Sequence, residues 1–253
     1  MFKRKLMAVM VSVSVAMAAF TPMISVEAAG KQTMYVINET AGKSSGYFKY
    51  TYNKNGLLSR AVAGSYKVNY TYNGMNLTKR VENDTQWKEK TVTTFEYDEN
   101  DRLESSEEKL TSSSRTVEST STYSYDKKGR IKKVVKKEQS SSVGNSTTTT
   151  KYTYNGQGLT SKIKGKGYTY QFEYDANGNE SRFISDGVAD IAQNVYDQNG
   201  CLTNVSWHDD AGNDTGEGAY TYIKIKVPAK YVNIVKAQQW ELINDMSSPN
   251  VLH

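Results

Sequence analysis

The sequence predicts an all-β protein, an antiparallel meander of consecutive β-hairpins that forms a curled or rolled sheet with a short C-terminal helix. Three observations carry this prediction: a turn motif recurs along the chain, the residues before each turn alternate between apolar and polar, and helical periodicity is absent before Pro228. Hydrophobic residues make up only 37% of the chain, but its 19 tyrosines have rings that can be buried. The low apolar share therefore does not indicate disorder.

The first segment is expected to be removed from the mature protein. Basic residues occupy positions 3–5, an uncharged apolar run covers positions 6–20, and Val26 and Ala28 are the small residues of a cleavage point. Residues 1–28 are therefore predicted to be a bacterial-type secretory signal peptide, with an uncleaved membrane anchor as the alternative. Because the run is shorter than the about 20 residues of a spanning helix, we expect a secreted, extracellular protein without membrane insertion after cleavage.

The recurring motif has the form aromatic–x–Tyr–Asn/Asp, a few residues, then Gly and an apolar residue. Its second tyrosine is found at Tyr52, Tyr72, Tyr97, Tyr125, Tyr154, Tyr174, Tyr196 and Tyr222. Aromatic–x–Tyr places two rings on one side of a strand, because side chains alternate between faces. The Asn or Asp begins a turn by bonding the backbone two residues further on, and Gly supplies the positive φ that the turn requires. The unequal spacing favours hairpins of different lengths over a solenoid.

Two less regular parts of the repeat region also need an interpretation. The Ser/Thr-rich stretches at residues 105–122 and 138–150 are predicted to be arms of long hairpins, with flexible linkers as the alternative. The segment at residues 208–212 is interpreted as a degenerate copy in which His208 takes the tyrosine position.

The end of the chain has a different periodicity. After Pro228, apolar and amide side chains fall near one helical face: Tyr231, Ile234, Val235, Gln238 and Leu242. A short helix is expected to pack over an open edge or end of the sheet. The predicted divisions are the signal peptide at 1–28, a hairpin-repeat domain at 29–222, and a strand end with a capping helix at 223–253.

The motif resembles the YD repeat of the RHS family, most clearly at YDKKGRI (residues 125–131) and YDQNGCL (residues 196–202). The resemblance covers roughly residues 47–222. It implies a continuous antiparallel sheet that spirals into a shell or rolled strip. Large members enclose a C-terminal toxin, and others display the repeats at the cell surface and bind partners or carbohydrate. Here the copies are too few for such a closed shell and no toxin domain is expected, so only the hairpin fold and surface binding carry over.

The aromatic ladder is expected to be mainly core, since a large exposed apolar face is unfavourable. Tyrosine-lined strips can also stack on sugar rings, which leaves rings at open ends as candidates for ligand contact. The predicted ligand-binding residues are Trp87, Trp207, Tyr196 and His208.

No catalytic residue, cofactor or metal site is predicted. The chain has two histidines and one cysteine, and it shows no nucleophile elbow, phosphate-binding loop or metal-ligand cluster. Residues 175–180 and 209–214 crowd oxygen ligands without the spacing of a twelve-residue calcium loop, so they are interpreted as tight turns. Cys201 cannot form an internal disulfide; a buried thiol is favoured over intermolecular pairing.

The net charge and the predicted fold class together lead to the predicted function. The formal net charge of +5 is too small to indicate a nucleic-acid partner, and the lysines within residues 127–137 are interpreted as a solvated strand face. We expect a secreted, non-enzymatic binding protein whose partner is an extracellular glycan or a surface protein. The alternative is a structural or envelope-associated, self-assembling β-repeat protein. A glycan-active hydrolase whose carboxylates meet only in the fold is the third hypothesis.

Overall fold

The computed structural model describes residues 30–42, 46–142 and 144–244, so the predicted signal peptide lies outside the described residues. The described strands are β1 (Lys31–Gly42), β2 (Gly46–Tyr52), β3 (Leu58–Ala63), β4 (Tyr66–Asn73), β5 (Asn76–Asp84), β6 (Glu89–Tyr97), β7 (Leu103–Thr111), β8 (Thr116–Tyr125), β9 (Ile131–Ser140), β10 (Gly144–Tyr154), β11 (Thr160–Gly165), β12 (Tyr168–Tyr174), β13 (Glu180–Ser185), β14 (Val188–Tyr196), β15 (Leu202–Asp209) and β16 (Asp214–Pro228). A 3-10 turn (Ala229–Tyr231) and helix α1 (Val232–Asn244) follow.

These strands form one closed barrel in which each strand pairs with the next in antiparallel fashion. β1 and β16 close it through a long register that runs from Lys31 opposite Pro228 to Gly42 opposite Gly218. The predicted antiparallel meander is confirmed. The curled or rolled sheet was only coarsely right, because the strands close into a barrel. The closing strand β1 contains no copy of the motif, which is why the repeat count did not predict closure.

Six of the seven predicted turns share one hydrogen-bond pattern, which Asp126 illustrates. The exception follows Tyr72, where Asn73 pairs directly with Asn76 across a two-residue turn. The N–H of Asp126 donates to the carbonyl of Arg130 (2.8 Å), and its Oδ1 accepts from the N–H groups of Lys128 (2.8 Å) and Arg130 (3.0 Å). Gly129 lies at φ +77°, in the left-handed region that favours glycine. Asp101 occupies the same position of another copy at φ +56°. The turn chemistry thus follows from the motif.

All the turns from β2–β3 to β14–β15 that follow a second tyrosine lie at one end of the barrel, which we call the motif end. The turn at residues 209–213 has the same hydrogen bonds but joins β15 to β16, at the opposite end. In this strand Trp207 pairs with Ala192 and packs against the core, so its neighbour His208 faces outward. The turn confirms a degenerate copy, but His208 faces outward and so does not replace the inward ring of a tyrosine.

The Ser/Thr-rich stretches form long hairpins, as predicted. β7 and β8 stay paired from Ser105 opposite Thr122 to Thr111 opposite Thr116, and β9 and β10 are paired from Lys133 opposite Lys151 to Ser140 opposite Gly144. Several of their inward positions are small, polar and buried, among them Ser106, Ser119, Ser121 and Thr150. The linker alternative does not describe these residues.

The second tyrosines tie neighbouring hairpins together. Apart from Tyr196, their hydroxyls donate to a backbone carbonyl of an earlier strand. In six copies the acceptor is the first or second residue of a return strand, and the pairs are Tyr72 with Leu58, Tyr97 with Leu77, Tyr125 with Leu103, Tyr154 with Ile131, Tyr174 with Thr160 and Tyr222 with Leu202. Tyr52 does the same to Ile37 of β1 (2.6 Å), which extends the ladder across the closure of the barrel. A phenol can therefore be buried at these positions without losing its hydrogen bond.

Helix α1 covers the motif end. Gln238 Oε1 accepts from the N–H of Leu58 (3.0 Å) and Gln239 Oε1 from the N–H of Ile37 (2.6 Å), while Trp240 Nε1 donates to the carbonyl of Gly178 (2.6 Å). One helix thus bonds to β1, to β3 and to the turn between β12 and β13. The predicted C-terminal helix is confirmed. Of the two positions expected for it, an open edge or an end of the sheet, it takes the end, because the closed barrel leaves no open edge among the described strands.

Candidate functional site: a half-buried aromatic wall

Four aromatic rings lie side by side on the inner face of β12 and β13, and we call them the aromatic wall: Tyr168, Tyr170, Phe172 and Phe183. Strand alternation puts the three β12 residues on one face, and Phe183 is the direct partner of Phe172. Ring centroids are 5.1 Å apart between Tyr168 and Tyr170, and 5.5 Å between Phe183 and both Tyr170 and Phe172. All four side chains are only half-buried.

The wall begins at the rim of the opposite end. Tyr168 is the first residue of β12, directly after the turn at Lys166–Gly167, and the wall runs inward from there. Buried side chains of neighbouring strands support it from one side, among them Tyr152 and Ile163. The rings are therefore held by a rigid sheet and lie next to the end that α1 does not cover.

Tyr168 is positioned by a glycine and a hydroxyl. A Cβ atom added to Gly165, which pairs with Tyr168 across β11 and β12, would lie 2.2 Å from the tyrosine ring, so only glycine allows the ring to lie over the strand backbone. The Tyr168 hydroxyl shares a hydrogen bond with Thr150 Oγ1 (2.9 Å). These two contacts fix the rim of the wall.

Tyr170 is the polar group in the middle of the wall. Among the described residues its hydroxyl has no hydrogen-bond partner, and burial is the main reason why its pKa lies above the ordinary value. A neutral phenol offers one donor and acceptor beside the flat faces of the neighbouring rings. An apolar face with a hydroxyl at its edge matches the surface of a sugar ring.

The four sequence-predicted ligand residues do not come together. Trp87 lies in the β5–β6 turn at the opposite end and is 67% exposed. Trp207 packs inward against the core, His208 faces outward opposite Ile191, and Tyr196 lies at the motif end. Sequence reasoning missed the aromatic wall, although an unbroken alternation of four aromatic residues at positions 168–174 was its signal.

Tyr196 has a structural role in one irregular copy of the ladder. Its hydroxyl donates to Asp175 Oδ2 instead of a strand carbonyl, and Asn194 Nδ2 donates to the same oxygen (2.8 Å). Partial burial works to raise the pKa of Asp175, but these donors and the turn N–H groups outweigh it, so the pKa is lowered. Both oxygens of Asp175 are thus occupied by the fold.

A charged cluster lies inside the barrel on β5, β7 and β9. The buried Arg80 guanidinium contacts Glu82 (2.9 Å) and Glu108 (3.7 Å), and Lys136 contacts Glu108 (3.4 Å). Burial opposes the charge of Arg80, but the carboxylates outweigh it and its pKa is raised. Tyr66 donates to Glu82. The fold thus brings the carboxylates of Glu82 and Glu108 to the same guanidinium, and each is held by a cation.

Three further sequence predictions concern metal ligands, Cys201 and membrane-spanning segments. In the described part of the chain no group of His, Cys, Asp and Glu is arranged to hold a metal ion. Cys201 is a half-buried free thiol, and burial raises its pKa. Within the same residues, neither helical segment has the length and apolarity needed to span a lipid bilayer.

The fold and the tyrosine ladder define a barrel of YD-type hairpins, and the comparisons place it in a family. A family model described as the teneurin YD-shell matches residues 47–212, well over half of the chain. The chain therefore belongs to the teneurin YD-shell family, which confirms the resemblance to YD repeats. A search of curated proteins found no match to the chain.

Solved structures resemble the chain only loosely. A porin-like protein from Bacteroides uniformis is 12% identical with a TM-score of 0.47, and the match covers 77% of this chain and 97% of that chain. One from Bacteroides vulgatus is 10% identical with a TM-score of 0.41, covering 74% and 98%. The TcdB2-TccC3 structure is 12% identical with a TM-score of 0.27, covering 70% of this chain and 12% of that chain. These similarities are too loose to transfer a function.

Proposed function

We propose that the protein is a secreted, non-enzymatic binding protein that takes an extracellular carbohydrate on its aromatic wall. The observation that carries this proposal is a contrast at the first aromatic position of the motif. Phe172 and the three rings packed beside it are half-buried and adjacent, whereas five other copies bury the ring at this position: Tyr50, Tyr70, Phe95, Tyr152 and Tyr220. Exposed apolar surface of this kind is unfavourable unless something covers it. A sugar ring can cover the aromatic wall by stacking on it, and the hydroxyl of Tyr170 can form a hydrogen bond with the same ligand.

The second tyrosines of the motif and the turn carboxylates already have partners within the fold, which also favours the aromatic wall as the binding site. The second tyrosines other than Tyr196 bond to backbone carbonyls, and the turn carboxylates accept from the turn backbone. The structural alternative, assembly through a strand edge, is disfavoured because closure of the barrel leaves the described strands without an unpaired edge.

Binding to a panel of immobilised neutral polysaccharides tests the proposal. We expect Tyr170→Ala to weaken binding by about tenfold or more, which corresponds to about 1.4 kcal/mol. Trp87→Ala, which removes an exposed ring from the same end of the barrel, is the matched control and should leave binding unchanged. The opposite result, loss with Trp87→Ala alone, would assign the ligand to the turn.

The non-enzymatic part needs a separate measurement. The bound polysaccharide is incubated with the protein, and its chain length is followed by mass spectrometry or size exclusion. We expect no cleavage. Cleavage that disappears with Glu108→Gln would instead favour the hydrolase and would place its chemistry in the interior charged cluster.

A further inference from the structure

Lysines line up across three adjacent strands on the outer face of the barrel. Lys151 of β10 pairs directly with Lys133 of β9 on one side and with Lys164 of β11 on the other. We call these three residues the lysine row. Each is the neighbour of a buried inward side chain, Tyr152, Val134 and Ile163 respectively, so alternation turns all three ammonium groups outward.

No carboxylate on the outer face of β9, β10 or β11 balances the positive charge of the lysine row. Within β9, β10 and β11 the only carboxylate is Glu138, which lies at an inward position and contacts the inward Lys136 (3.6 Å). In the described residues none of the row lysines makes an ion pair. Three further lysines extend the positive outer surface of β9 and β11: Lys132, Lys137 and Lys162.

Like charges directly opposite each other destabilise a sheet. Two lysines elsewhere face a carboxylate across the strands, Lys109 with Glu118 (2.7 Å) and Lys49 with Glu39 (3.6 Å), and others face neutral side chains. In the lysine row, both cross-strand partners of Lys151 are lysines. Local departures from favourable pairing are expected where a ligand supplies the missing partner.

We propose that the lysine row binds an anionic polysaccharide that carries a negative charge on successive units and lies across the strands. Strands are about 4.8 Å apart, so the row offers a regular series of cationic anchors in that direction. Hydroxyl residues continue the row at both ends, because Ser124 pairs with Lys133 and Thr169 with Lys164. They offer hydrogen bonds to the polymer's hydroxyl groups. This surface lies outside the barrel, so it is separate from the aromatic wall.

The chemistry of the surrounding surface favours a polysaccharide over two other polyanions. The aromatic residues of β10, Tyr152 and Tyr154, point inward, so the outer face of β9, β10 and β11 has no ring on which a nucleic-acid base can stack. It also lacks the large apolar side chains that insert into a lipid surface; Val135 is half-buried.

Retention of the purified protein on dextran sulfate and on polygalacturonate tests the proposal, with neutral dextran, duplex DNA and phosphatidylserine vesicles as comparison ligands. The triple variant K133Q/K151Q/K164Q should bind the two anionic polysaccharides at least about tenfold more weakly and with a shallower salt dependence, since three cationic contacts are lost. The matched control K67Q/K79Q/K90Q removes the same charge from the outer face of β4 to β6 and should bind within about twofold of the native protein.

Stability measured on the same proteins separates binding from folding. Lys151→Thr removes both like-charge contacts, so its thermal midpoint should rise while its affinity for polygalacturonate falls. Equal weakening by the control triple variant, tighter binding to DNA or vesicles than to the polysaccharides, or no retention at low salt would each overturn the proposal. Loss of neutral-sugar binding with Tyr170→Ala is independent of all these outcomes.

Discussion

Two regions of the barrel use the same motif and reach different degrees of burial. Phe95 of β6 and Phe172 of β12 both occupy the first aromatic position of a motif copy, yet Phe95 is 9% exposed and belongs to the main core while Phe172 is half-buried. The main core is filled by side chains of several strands and by Leu242 of α1. The aromatic wall packs against a smaller buried cluster, made up of Ile131, Val134, Tyr152 and Ile163. The motif therefore determines the hairpin, and the elements that cover it determine whether its rings are core or surface.

The largest expected effect separates these two regions directly. Phe95→Ala should lower the free energy of unfolding by about 3–5 kcal/mol, the usual range for a buried phenylalanine. Phe172→Ala should cost about half of that or less, because part of its ring already contacts solvent. Chemical denaturation of both variants measures the difference, and equal losses would contradict the contrast in packing.

The helix that covers the motif end gives the next effect. Gln238 is 2% exposed, and Gln238→Ala leaves the buried N–H of Leu58 without its acceptor. We expect a loss of about 1–3 kcal/mol and faster hydrogen exchange at the Leu58 amide. Gln193→Ala on the exposed outer face should change stability by less than about 0.5 kcal/mol. Saccharide binding at the aromatic wall should not change, and a parallel loss of binding would show that the two regions are coupled.

The tyrosine ladder predicts a smaller difference. Tyr125→Phe removes a hydrogen bond of 2.6 Å to the carbonyl of Leu103 and should cost about 1 kcal/mol. Tyr170→Phe removes a hydroxyl that has no partner among the described residues, so stability should stay within about 0.5 kcal/mol. Thermal unfolding of the two variants side by side checks this. A larger loss for Tyr170→Phe would mean that its hydroxyl is part of the fold.

The smallest effect belongs to the turns that both regions share. Burial works against the charge of Asp126, but hydrogen bonds from Arg130 outweigh it and its pKa is lowered. A lowered pKa stabilises the fold above the unfolded-state value of about 3.9, and this contribution is lost as the pH falls through the folded-state pKa. Asp126→Asn keeps the turn oxygen, as Asn53 and Asn155 do, but loses the Arg130 ion pair.

We therefore expect Asp126→Asn to be a few tenths of a kcal/mol less stable at pH 7. The difference should disappear in acid. Urea unfolding at several pH values between 7 and 2 measures it. A difference that persists below the folded-state pKa would show that the amide disturbs the turn itself.

The local structure was predictable because each element depends on adjacent residues. The turn at Asp126 needs only its own carboxylate and Gly129, and the alternating rings of β12 need only strand geometry. The helix after Pro228 was predictable for the same reason. These features are set by short-range sterics and hydrogen bonds that the sequence displays directly.

The closed barrel and the site were not predictable in this way. Closure depends on the pairing of β1 with β16, whose residues are almost 200 positions apart at Lys31 and Pro228. Which rings stay half-buried depends on where α1 lies, and which lysines meet depends on the register of β9, β10 and β11. Trp87 and His208 were predicted to bind a ligand because of their residue type. The aromatic wall and the lysine row instead consist of common residue types that the strand register brings together.

Tyrosine nitration of the native protein, followed by mass spectrometry, tests the central claim most directly. The account predicts that Tyr170 is modified while Tyr50 and Tyr70, which are 6% exposed, are protected, and that a bound polysaccharide protects Tyr170. Equal protection of all three tyrosines in the free protein, or a Tyr170 reactivity that saturating polysaccharide does not change, would contradict it.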